Sequence, residues 1–527
     1  MRVAVIGSGP AATATALALT NRGLRPTVID VGTRLDSDRA ALAAELAQRP
    51  RSQWTDEELH RISENPTIRA SGIPRKLLFG SDFIYALDHP AAPTDAANAK
   101  ISASFAYGGF GAAWGGAMLP AANCDIADWP VRRADLEPAY RAILRELPLA
   151  GANDDLASEF PLYKENPGLL DLPAEAAALL RDVTAANFDE GSRILAGRAR
   201  IAVRPADDPG GYGCRFCGMC LSGCVYGAIA APSEILDRLI AAALVEYKSG
   251  AVVKTVRQEG ESVRVTFRTP GAGLREELVF DRVFIAAGPL GTTRVVLESR
   301  SWIGEGFELK DSQKFALPFF RRRRIPLSWP NTNTLAALFI ELQLAGLSQH
   351  WIHIQVSAVN DYVLGRAGLL EPGRHWRRTA ANILLERLMI GWCSLHSDHS
   401  SRLLLTLLED KRGGEHILRV DHRLRPEAGH AMREVSRALR RIGLRFGALF
   451  PVSMLQPSLP GAGLHTGGAF PMRAKPRERA DTDALGRFAG QDRIHIVDAS
   501  IFPSVPATTI VLPLMANAYR IAATAPL

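Results

Sequence analysis

The chain has 527 residues and carries few cysteines and no long apolar run. A membrane-spanning helix needs roughly 18 uninterrupted apolar residues, and no stretch approaches that length. The first residues already read as a folded strand and lack the charged start, apolar core and cleavage site of a secretion signal. We therefore expect a cytoplasmic protein, unless a partner subunit carries it out of the cell. Reducing surroundings disfavour structural disulfides.

The excess of positive charge is small for the length. Lys and Arg number 62 against 55 Asp and Glu, a net charge of +7 that is spread along the sequence. Such a distribution does not predict a nucleic-acid partner. A chain this long exceeds what one hydrophobic core usually supports, so about two to four structural units are expected.

The first thirty residues follow a dinucleotide-binding pattern. A short apolar strand is followed by "GSGPAA", an alanine-rich helix and a second strand that ends at Asp30. Gly7 permits the tight turn, Gly9 lets the backbone approach a pyrophosphate, and Ala12 replaces the third glycine where helix meets strand. The helix N-terminus attracts phosphates, and Asp30 is placed to hold ribose hydroxyls. The pattern alone does not choose between FAD and NAD.

Segments at both ends of the chain resemble the glucose–methanol–choline (GMC) oxidoreductases, a family of flavoenzymes. The resemblance is carried by "GLHTGGAFPM" and "IHIVDASIFPSVPATTIVLPLMANAYRIA" near the C-terminus, and by "GGFGAAWGGAMLPA", "DWPVRRADLEPAY" and "VFIAAGPLGTTRVVL". Together with the fingerprint these segments lie in the first 150 residues, in 210–300 and in 460–527. Residues 300–455 resemble nothing recognisable.

The resemblance implies a non-covalently held FAD and oxidation of a C–OH group by hydride transfer to flavin N5. His465 occupies the position of the family's active-site base, and an imidazole with a pKa near 6.5 suits that role. Thr509 stands where the family carries a second histidine or an asparagine. Because threonine is no base at neutral pH, it either orients the substrate or leaves the pair to another residue.

The same resemblance implies further cofactor residues. Trp114 and Gly115 fall in the segment that covers the flavin, and Asp498 and Ala499 match the segment along the ribityl and phosphate region. Val253 aligns with a strand that passes the adenine.

Four of the six cysteines lie within eleven residues, in the pattern C-x2-C-x2-C-x3-C. They are Cys214, Cys217, Cys220 and Cys224. This is the spacing of bacterial ferredoxins, and it favours a [4Fe–4S] or [3Fe–4S] cluster over free thiols, zinc or a disulfide. Some iron–sulfur FAD glucose dehydrogenases carry a related C-x5-C-x3-C run. Either all four cysteines bind one cluster, or Cys124 or Cys393 supplies a ligand.

The sequence thus predicts an α/β protein: a discontinuous Rossmann-like FAD-binding domain combined with an α+β substrate domain that contains an antiparallel sheet. The FAD domain is expected from 1–130, 211–300 (with the cysteines) and 456–527 (with His465). Residues 131–210 are expected to form a linking part or a part of the substrate domain, and 301–455 the substrate domain. "IHIQVSAV" (352–359) and "SRLLLTLLED" (401–410) read as strands of one sheet over the flavin.

Other local patterns are less specific. "PSEILDRLIAAALVEY" (232–247) reads as a helix capped by Ser233. His396 and His399 surround an aspartate, a set that suggests either a metal or, more commonly, a polar turn. Residues 319–329 and 374–392 mix cations with aromatic and aliphatic residues, which suits a docking face or peripheral contact with a membrane.

We expect a dehydrogenase that oxidises an alcohol, sugar or sterol-like substrate and passes electrons through the cluster to an acceptor such as a cytochrome. The alternatives are an oxidase that uses oxygen, with structural cysteines, and a non-redox flavin-bound lyase or structural partner.

Overall fold

The structure, a computed structural model, describes residues 1–63, 75–269, 275–357, 359, 384–411 and 414–527. The α-helices in these ranges are Pro10–Asn21, Ser37–Ala47, Asp56–Ser63, Arg133–Glu146, Ala174–Thr184, Ser233–Ala241, Gly288–Arg300, Pro426–Gly443 and Val511–Thr524.

A five-stranded parallel sheet draws on three distant parts of the chain. Its strands, in spatial order, are Ile494–Ile496, Arg282–Ile285, Val3–Ile6, Thr27–Ile29 and Glu246–Lys248. The predicted Rossmann-like topology is therefore present, with the fingerprint turn at the carboxyl end of the central strand. A separate antiparallel sheet is formed by Val252–Glu259, Ser262–Arg268 and Arg275–Phe280.

The predicted helix over 232–247 was too long. The helix Ser233–Ala241 ends early, and Glu246–Lys248 joins the edge of the parallel sheet beside Thr27–Ile29. Ser233 is the first helical residue, and Pro232 occupies the N-cap. A sheet edge that offers free backbone groups outweighs the helical preference of the alanine-rich segment.

Two mixed or antiparallel sheets form the other half of the fold. A five-stranded sheet contains, in spatial order, Thr466–Gly467, Gly306–Asp311, Arg402–Leu408, Ile417–Arg423 and Thr94–Asp95. A seven-stranded antiparallel sheet contains Ala448–Leu449, Lys314–Arg321, Leu388–Ser394, Ser348–Ser357, Leu338–Leu344 and Ser192–Arg198, with Gln456–Pro457 paired to its second strand. The predicted α/β class, with an antiparallel sheet beside the nucleotide sheet, is confirmed.

The two strands expected to share one sheet lie in different sheets. Ser348–Ser357 belongs to the seven-stranded sheet and Arg402–Leu408 to the five-stranded sheet. The segment 374–392, in which the apolar residues Ile383, Leu384, Met389 and Ile390 are spaced as on one face of a helix, lies partly outside the described residues. Its end is a strand and not a helix: Met389 and Ile390 are buried in Leu388–Ser394.

The described part of the chain contains no helix that is both long and apolar enough to cross a lipid bilayer.

Candidate active site

A cavity of about 480 Å³ runs from the fingerprint turn to the C-terminal histidine segment. Gly7, Ser8 and Gly9 line one part, and Gly463, Leu464 and His465 line another. The segment around Trp114 and the strand around Val253 contribute further walls. With the exception of Ala12, the sequence-predicted cofactor and catalytic residues therefore meet in one space.

The first turn of this cavity requires glycine for steric reasons. Gly7 has φ of +101°, and a Cβ there would approach the carbonyl oxygen of Ala286 to 2.5 Å. In contrast, a Cβ on Gly9, Gly115 or Gly288 would meet no protein atom within 4 Å. These three glycines line the cavity with bare backbone. The space in front of them is open to a ligand that approaches the backbone closely, as a dinucleotide does at a helix N-terminus.

Asp30 is held at the end of its strand by two hydroxyl groups. Ser8 Oγ donates to Asp30 Oδ2 at 2.5 Å, and Tyr247 Oη donates to the same oxygen at 3.1 Å. Burial raises the pKa of Asp30 to about 6, and the hydrogen bonds from Ser8 and Tyr247 oppose that rise. Both bonds therefore help to keep the carboxylate ionised and oriented at neutral pH.

The remaining predicted cofactor residues divide into two groups. Trp114, Val253, Asp498 and Ala499 line the cavity. Ala12 does not line it: the side chain is fully buried within the helix Pro10–Asn21, where it serves packing. Only a small residue fits such a helix–strand contact, which is the reason given for Ala12 from the sequence.

His465 lies at the junction of the two substrate-side sheets. The short strand Thr466–Gly467 pairs with Gly306–Asp311, and the Ser312 backbone N–H donates to the His465 carbonyl oxygen at 2.9 Å. Two residues after Ser312, at Lys314, the chain enters the seven-stranded sheet. The backbone that carries the imidazole is thereby fixed to the end of the strand Gly306–Asp311.

Lys314 lines the cavity together with His465, a position that the sequence did not reveal. A Cβ on Gly463 would lie 3.1 Å from the Lys314 side-chain stem, so this stem packs against the histidine loop. Burial lowers the pKa of Lys314 to about 8, and the nearby Asp311 opposes the shift. Burial in turn raises the pKa of Asp311 to about 7.

These surroundings keep His465 neutral. Burial, then the charge of Lys314, holds the pKa of His465 well below its ordinary value. Its Nδ1 is buried and has no hydrogen-bond partner in the described part of the protein. A neutral imidazole with an available lone pair is the form that accepts a proton.

Thr509 lines the same cavity and is fixed by one hydrogen bond. The Leu119 backbone N–H donates to Thr509 Oγ1 at 2.8 Å. With one lone pair occupied in this way, the hydroxyl retains its proton for donation. Thr509 thus has the geometry of an orienting group, one of the two roles considered from the sequence.

A chain of hydrogen-bonded side chains, Glu341, His353 and Gln355, leads from the seven-stranded sheet to the cavity. His353 Nδ1 lies 2.6 Å from Glu341 Oε1, and His353 Nε2 lies 3.1 Å from the Gln355 amide nitrogen. Glu341 and His353 are fully buried, whereas Gln355 lines the cavity. With the Nδ1 proton donated to Glu341, His353 Nε2 accepts from Gln355, and this contact orients the amide group.

The sequence pattern contained no signal for Lys314 or Gln355. Both sit in strands whose alternation shows only which residues face the core. Their approach to His465 depends on the pairing of strands far apart in the sequence, which local periodicity does not encode.

The cysteine run borders the cavity. Leu221, between the third and fourth cysteines, lines it, and so do Leu335 and Lys76. The Thr334 backbone N–H donates to Cys220 Sγ at 3.3 Å, and Asn333 Nδ2 donates to Cys214 Sγ at 3.6 Å. The sulfurs therefore already receive N–H donors of the kind that tune iron–sulfur clusters.

All six cysteines are free, so the run forms no disulfide. Burial raises the pKa of Cys217 to about 11 and that of Cys220 to about 12. One group of His, Cys, Asp or Glu residues in the described part of the chain has its ligand atoms within 4.8 Å of one another, and it does not include these cysteines. The four sulfurs therefore do not surround a position for a single ion. This spacing disfavours a mononuclear zinc site, whose sulfurs must converge.

The other two cysteines lie in different surroundings. Cys393 is buried in the strand Leu388–Ser394, and burial alone raises its pKa. Cys124 Sγ accepts from Gln343 Nε2 at 3.6 Å, and Cys124 packs in the same apolar cluster as Cys214 and Cys220. The expected role of Cys124 or Cys393 as an alternative cluster ligand stays a prediction.

Comparison with known proteins agrees with this geometry. The GMC oxidoreductase family model matches residues 401–518. A search of curated proteins found no match. Among solved structures, the chain is similar to the crystal structure of pyridoxine 4-oxidase from Mesorbium loti, with a TM-score of 0.58 and 14% identity over 99% of this chain and 98% of that chain. At this identity the likeness concerns the fold. The family match also includes residues 401–455, which contain none of the motifs that carry the resemblance in the sequence.

Asp30→Ala is expected to weaken the retention of FAD, the dinucleotide expected from the sequence. Loss of a charged hydrogen-bond acceptor costs about 1.5–3 kcal/mol, so the dissociation constant should rise about tenfold or more. Apoprotein reconstitution followed by flavin fluorescence measures it. Asp36→Ala, which removes an exposed helix-capping carboxylate, is the control and should bind FAD normally. Full affinity in Asp30→Ala would remove this residue from the dinucleotide site.

Proposed function

We propose that this chain, whose C-terminal part matches the GMC oxidoreductase family, is an FAD-dependent dehydrogenase. It oxidises the C–OH group of an alcohol or sugar. The observation that supports this most is the neutral, buried His465 in a cavity that begins at a dinucleotide-binding turn. Oxidation removes a hydride from the carbinol carbon and a proton from its oxygen, and the two groups must be received at different places.

The cavity fits FAD at its nucleotide end. Gly7 and Gly9 form the phosphate-binding turn, Asp30 is placed for the ribose, and Val253 lines the adjacent wall. The bare backbone of Gly115 and Gly288 leaves further open space. When bound, FAD supplies a two-electron acceptor for the hydride.

His465 is proposed to accept the hydroxyl proton. Because its pKa is well below the ordinary value, the imidazole is unprotonated throughout the neutral range. It is therefore in the form that accepts a proton. Thr509 would donate a hydrogen bond to the substrate oxygen, and Gln355, held by His353, would orient a neighbouring polar group.

Lys314 is proposed to be the active-site partner of His465, because Thr509 is no base and does not fill that role. As an ammonium group beside His465, it stabilises the negative charge that develops on the substrate oxygen as its proton departs. Its pKa near 8 places the loss of this charge just above neutrality. The role belongs to the charged form, so activity should fall as the pH rises through that pKa.

The four cysteines of the run are proposed to hold an iron–sulfur cluster. The donor set suits it: four sulfurs in eleven residues, with N–H donors to two of them and a position against the cavity wall. A cluster there would release electrons singly to an external acceptor protein such as a cytochrome.

An oxidase is the second candidate, because the similar solved structure is that of an oxidase. The two reactions differ in the fate of the electrons. Stoichiometric hydrogen peroxide during turnover in air would establish the oxidase, whereas reduction of a one-electron acceptor without peroxide would establish the dehydrogenase.

His465→Ala should retain FAD but slow flavin reduction by about a hundredfold or more, the usual contribution of a general base. Anaerobic stopped-flow absorbance, with the alcohol that the parent oxidises fastest, measures the rate. His422→Ala, at a partly exposed position outside the cavity, is the matched control. An unchanged rate in His465→Ala would remove the histidine from the mechanism.

Lys314→Met should lower the rate of flavin reduction and abolish its alkaline decline. In the parent, the rate is expected to be highest below pH 8 and to fall above it, because the folded-state pKa of Lys314 is about 8. Single-turnover rates between pH 6 and about 10 test this. An alkaline decline that persists in Lys314→Met would assign it to another group.

Cys220→Ser should eliminate the broad absorbance of a cluster beneath the flavin bands, together with protein-bound iron and sulfide. Cys393→Ser, which alters a buried thiol outside the run, should retain both. The measurements are iron and sulfide analysis and EPR after anaerobic purification. A parent protein without iron and sulfide would refute the cluster and leave the oxidation chemistry at His465 untouched.

A further inference from the structure

A second polar cluster lies outside the active-site cavity. It comprises His350, His396 and Asp398, with Asp125 beneath them. None of the four residues lines the cavity. His350 lies in the strand Ser348–Ser357, His396 and Asp398 lie at a short helical turn, and Asp125 belongs to the segment after the flavin-covering residues. Three distant parts of the chain thus contribute to one place.

The ligand atoms of this cluster are close enough for one metal ion. His350 Nε2 lies 3.6 Å from Asp398 Oδ2, and His396 Nδ1 lies 3.7 Å from the same carboxylate oxygen. All three ligand atoms lie within 4.8 Å of one another. Two imidazole nitrogens and one carboxylate are a common ligand set for zinc, which leaves a fourth position for water.

Asp125 is placed behind both histidines. Its Oδ1 lies 3.7 Å from His350 Nδ1, and its backbone carbonyl lies 3.1 Å from His396 Nε2. The nitrogens turned towards Asp125 are those on the far side of each ring from Asp398. Metal-binding histidines typically donate their second N–H to a carboxylate or carbonyl in this way, which fixes the tautomer whose other nitrogen carries the lone pair. The lone pair of His396 Nδ1 accepts the Asp398 backbone N–H at 3.3 Å, so a bound ion would replace this bond.

Two buried atoms in the cluster have no partner among the described residues. Asp125 is fully buried and its Oδ2 accepts no hydrogen bond, and His350 Nδ1 also lacks one. Asp125 Oδ1 accepts the Trp351 backbone N–H at 3.0 Å, but a buried carboxylate with one unpartnered oxygen is costly unless a positive charge lies nearby. A divalent cation bound by the histidines would supply that charge. The Asp398 side chain is 48% exposed, which opens the cluster to solvent.

We propose that His350, His396 and Asp398 form a binding site for a zinc-like divalent cation, oriented by Asp125. The rings of His350 and His396 are stacked with centroids 3.6 Å apart. Because an imidazole lone pair lies in the ring plane, the two rings must turn apart to share an ion. The ring of His399 lies 6.2 Å from that of His350 and is outside the ligand set.

The competing explanation is a charged histidine. The two aspartates raise the pKa of His350 to about 9. In the absence of metal, the protonated His350 would therefore balance the negative charge of both carboxylates. The sequence alone favoured a simple polar turn around His396, because His350, 46 residues earlier in the chain, could not be placed beside it.

The test measures zinc bound to the FAD-loaded protein after chelator treatment, dialysis and reloading with zinc alone. Asp398→Ala alters a half-exposed ligand and should still fold, which flavin content and Tm would verify. It should lose one zinc equivalent relative to the parent and bind zinc at least about a hundredfold more weakly. Asp125→Asn should weaken binding about tenfold, as expected for a residue that orients ligands.

Asp421→Ala is the matched control, since Asp421 is also adjacent to a histidine but belongs to the strand Ile417–Arg423. It should retain all of the zinc. Zinc held by the cysteine run would persist in Asp398→Ala and be lost in Cys220→Ser, which separates the two sites. Anomalous scattering from a zinc-loaded crystal should show a peak between His350 and Asp398. No zinc in the parent, or equal zinc in the parent, Asp398→Ala and His350→Gln, would overturn the proposal.

Discussion

Two residue pairs at the edge of the five-stranded sheet determine the geometry of the candidate active site. Lys310 and Asp311 pair with Gly467 and Thr466, and this short ladder attaches the C-terminal histidine segment to the sheet that continues towards Lys314. Together with the bond from the Ser312 backbone N–H to the His465 carbonyl, this ladder fixes the backbone at His465 relative to the strand that contains Lys314. One backbone junction thus brings an imidazole and an ammonium group into the same cavity.

The electrostatics of the cavity follow from that arrangement. A cation beside a buried imidazole disfavours a second positive charge, so His465 is kept neutral while Lys314 retains most of its charge near neutral pH. Asp311, behind Lys314, opposes the loss of that charge. Acceptance of a proton and stabilisation of the remaining negative charge can therefore be performed by two different side chains.

The sequence predicted the parts of the site that rest on short-range patterns. The fingerprint from Gly7 to Asp30 combines a turn, a helix start and two strands, each with a local signature, and the structure places them as expected. His465 was found through the motif that surrounds it. The position of these residues in one cavity follows from the topology of a nucleotide sheet.

The features that were missed depend on long-range register. Lys314, Gln355 and His350 occupy strands whose neighbours are set by pairings between distant segments, and alternation cannot specify such neighbours. The assignment of residues 352–359 and 401–410 to one sheet was wrong for the same reason. The helix predicted to Tyr247 was wrong because a sheet edge, invisible in the local sequence, recruited Glu246–Lys248 as a strand.

The interleaved order of the nucleotide sheet has a consequence for biosynthesis. The strand Val3–Ile6 is synthesised long before Ile494–Ile496, the outer strand of the same sheet. The helix Val511–Thr524, whose end accepts hydrogen bonds from Arg22, follows that strand. The parallel sheet is therefore completed only after the long segment between these strands has been made.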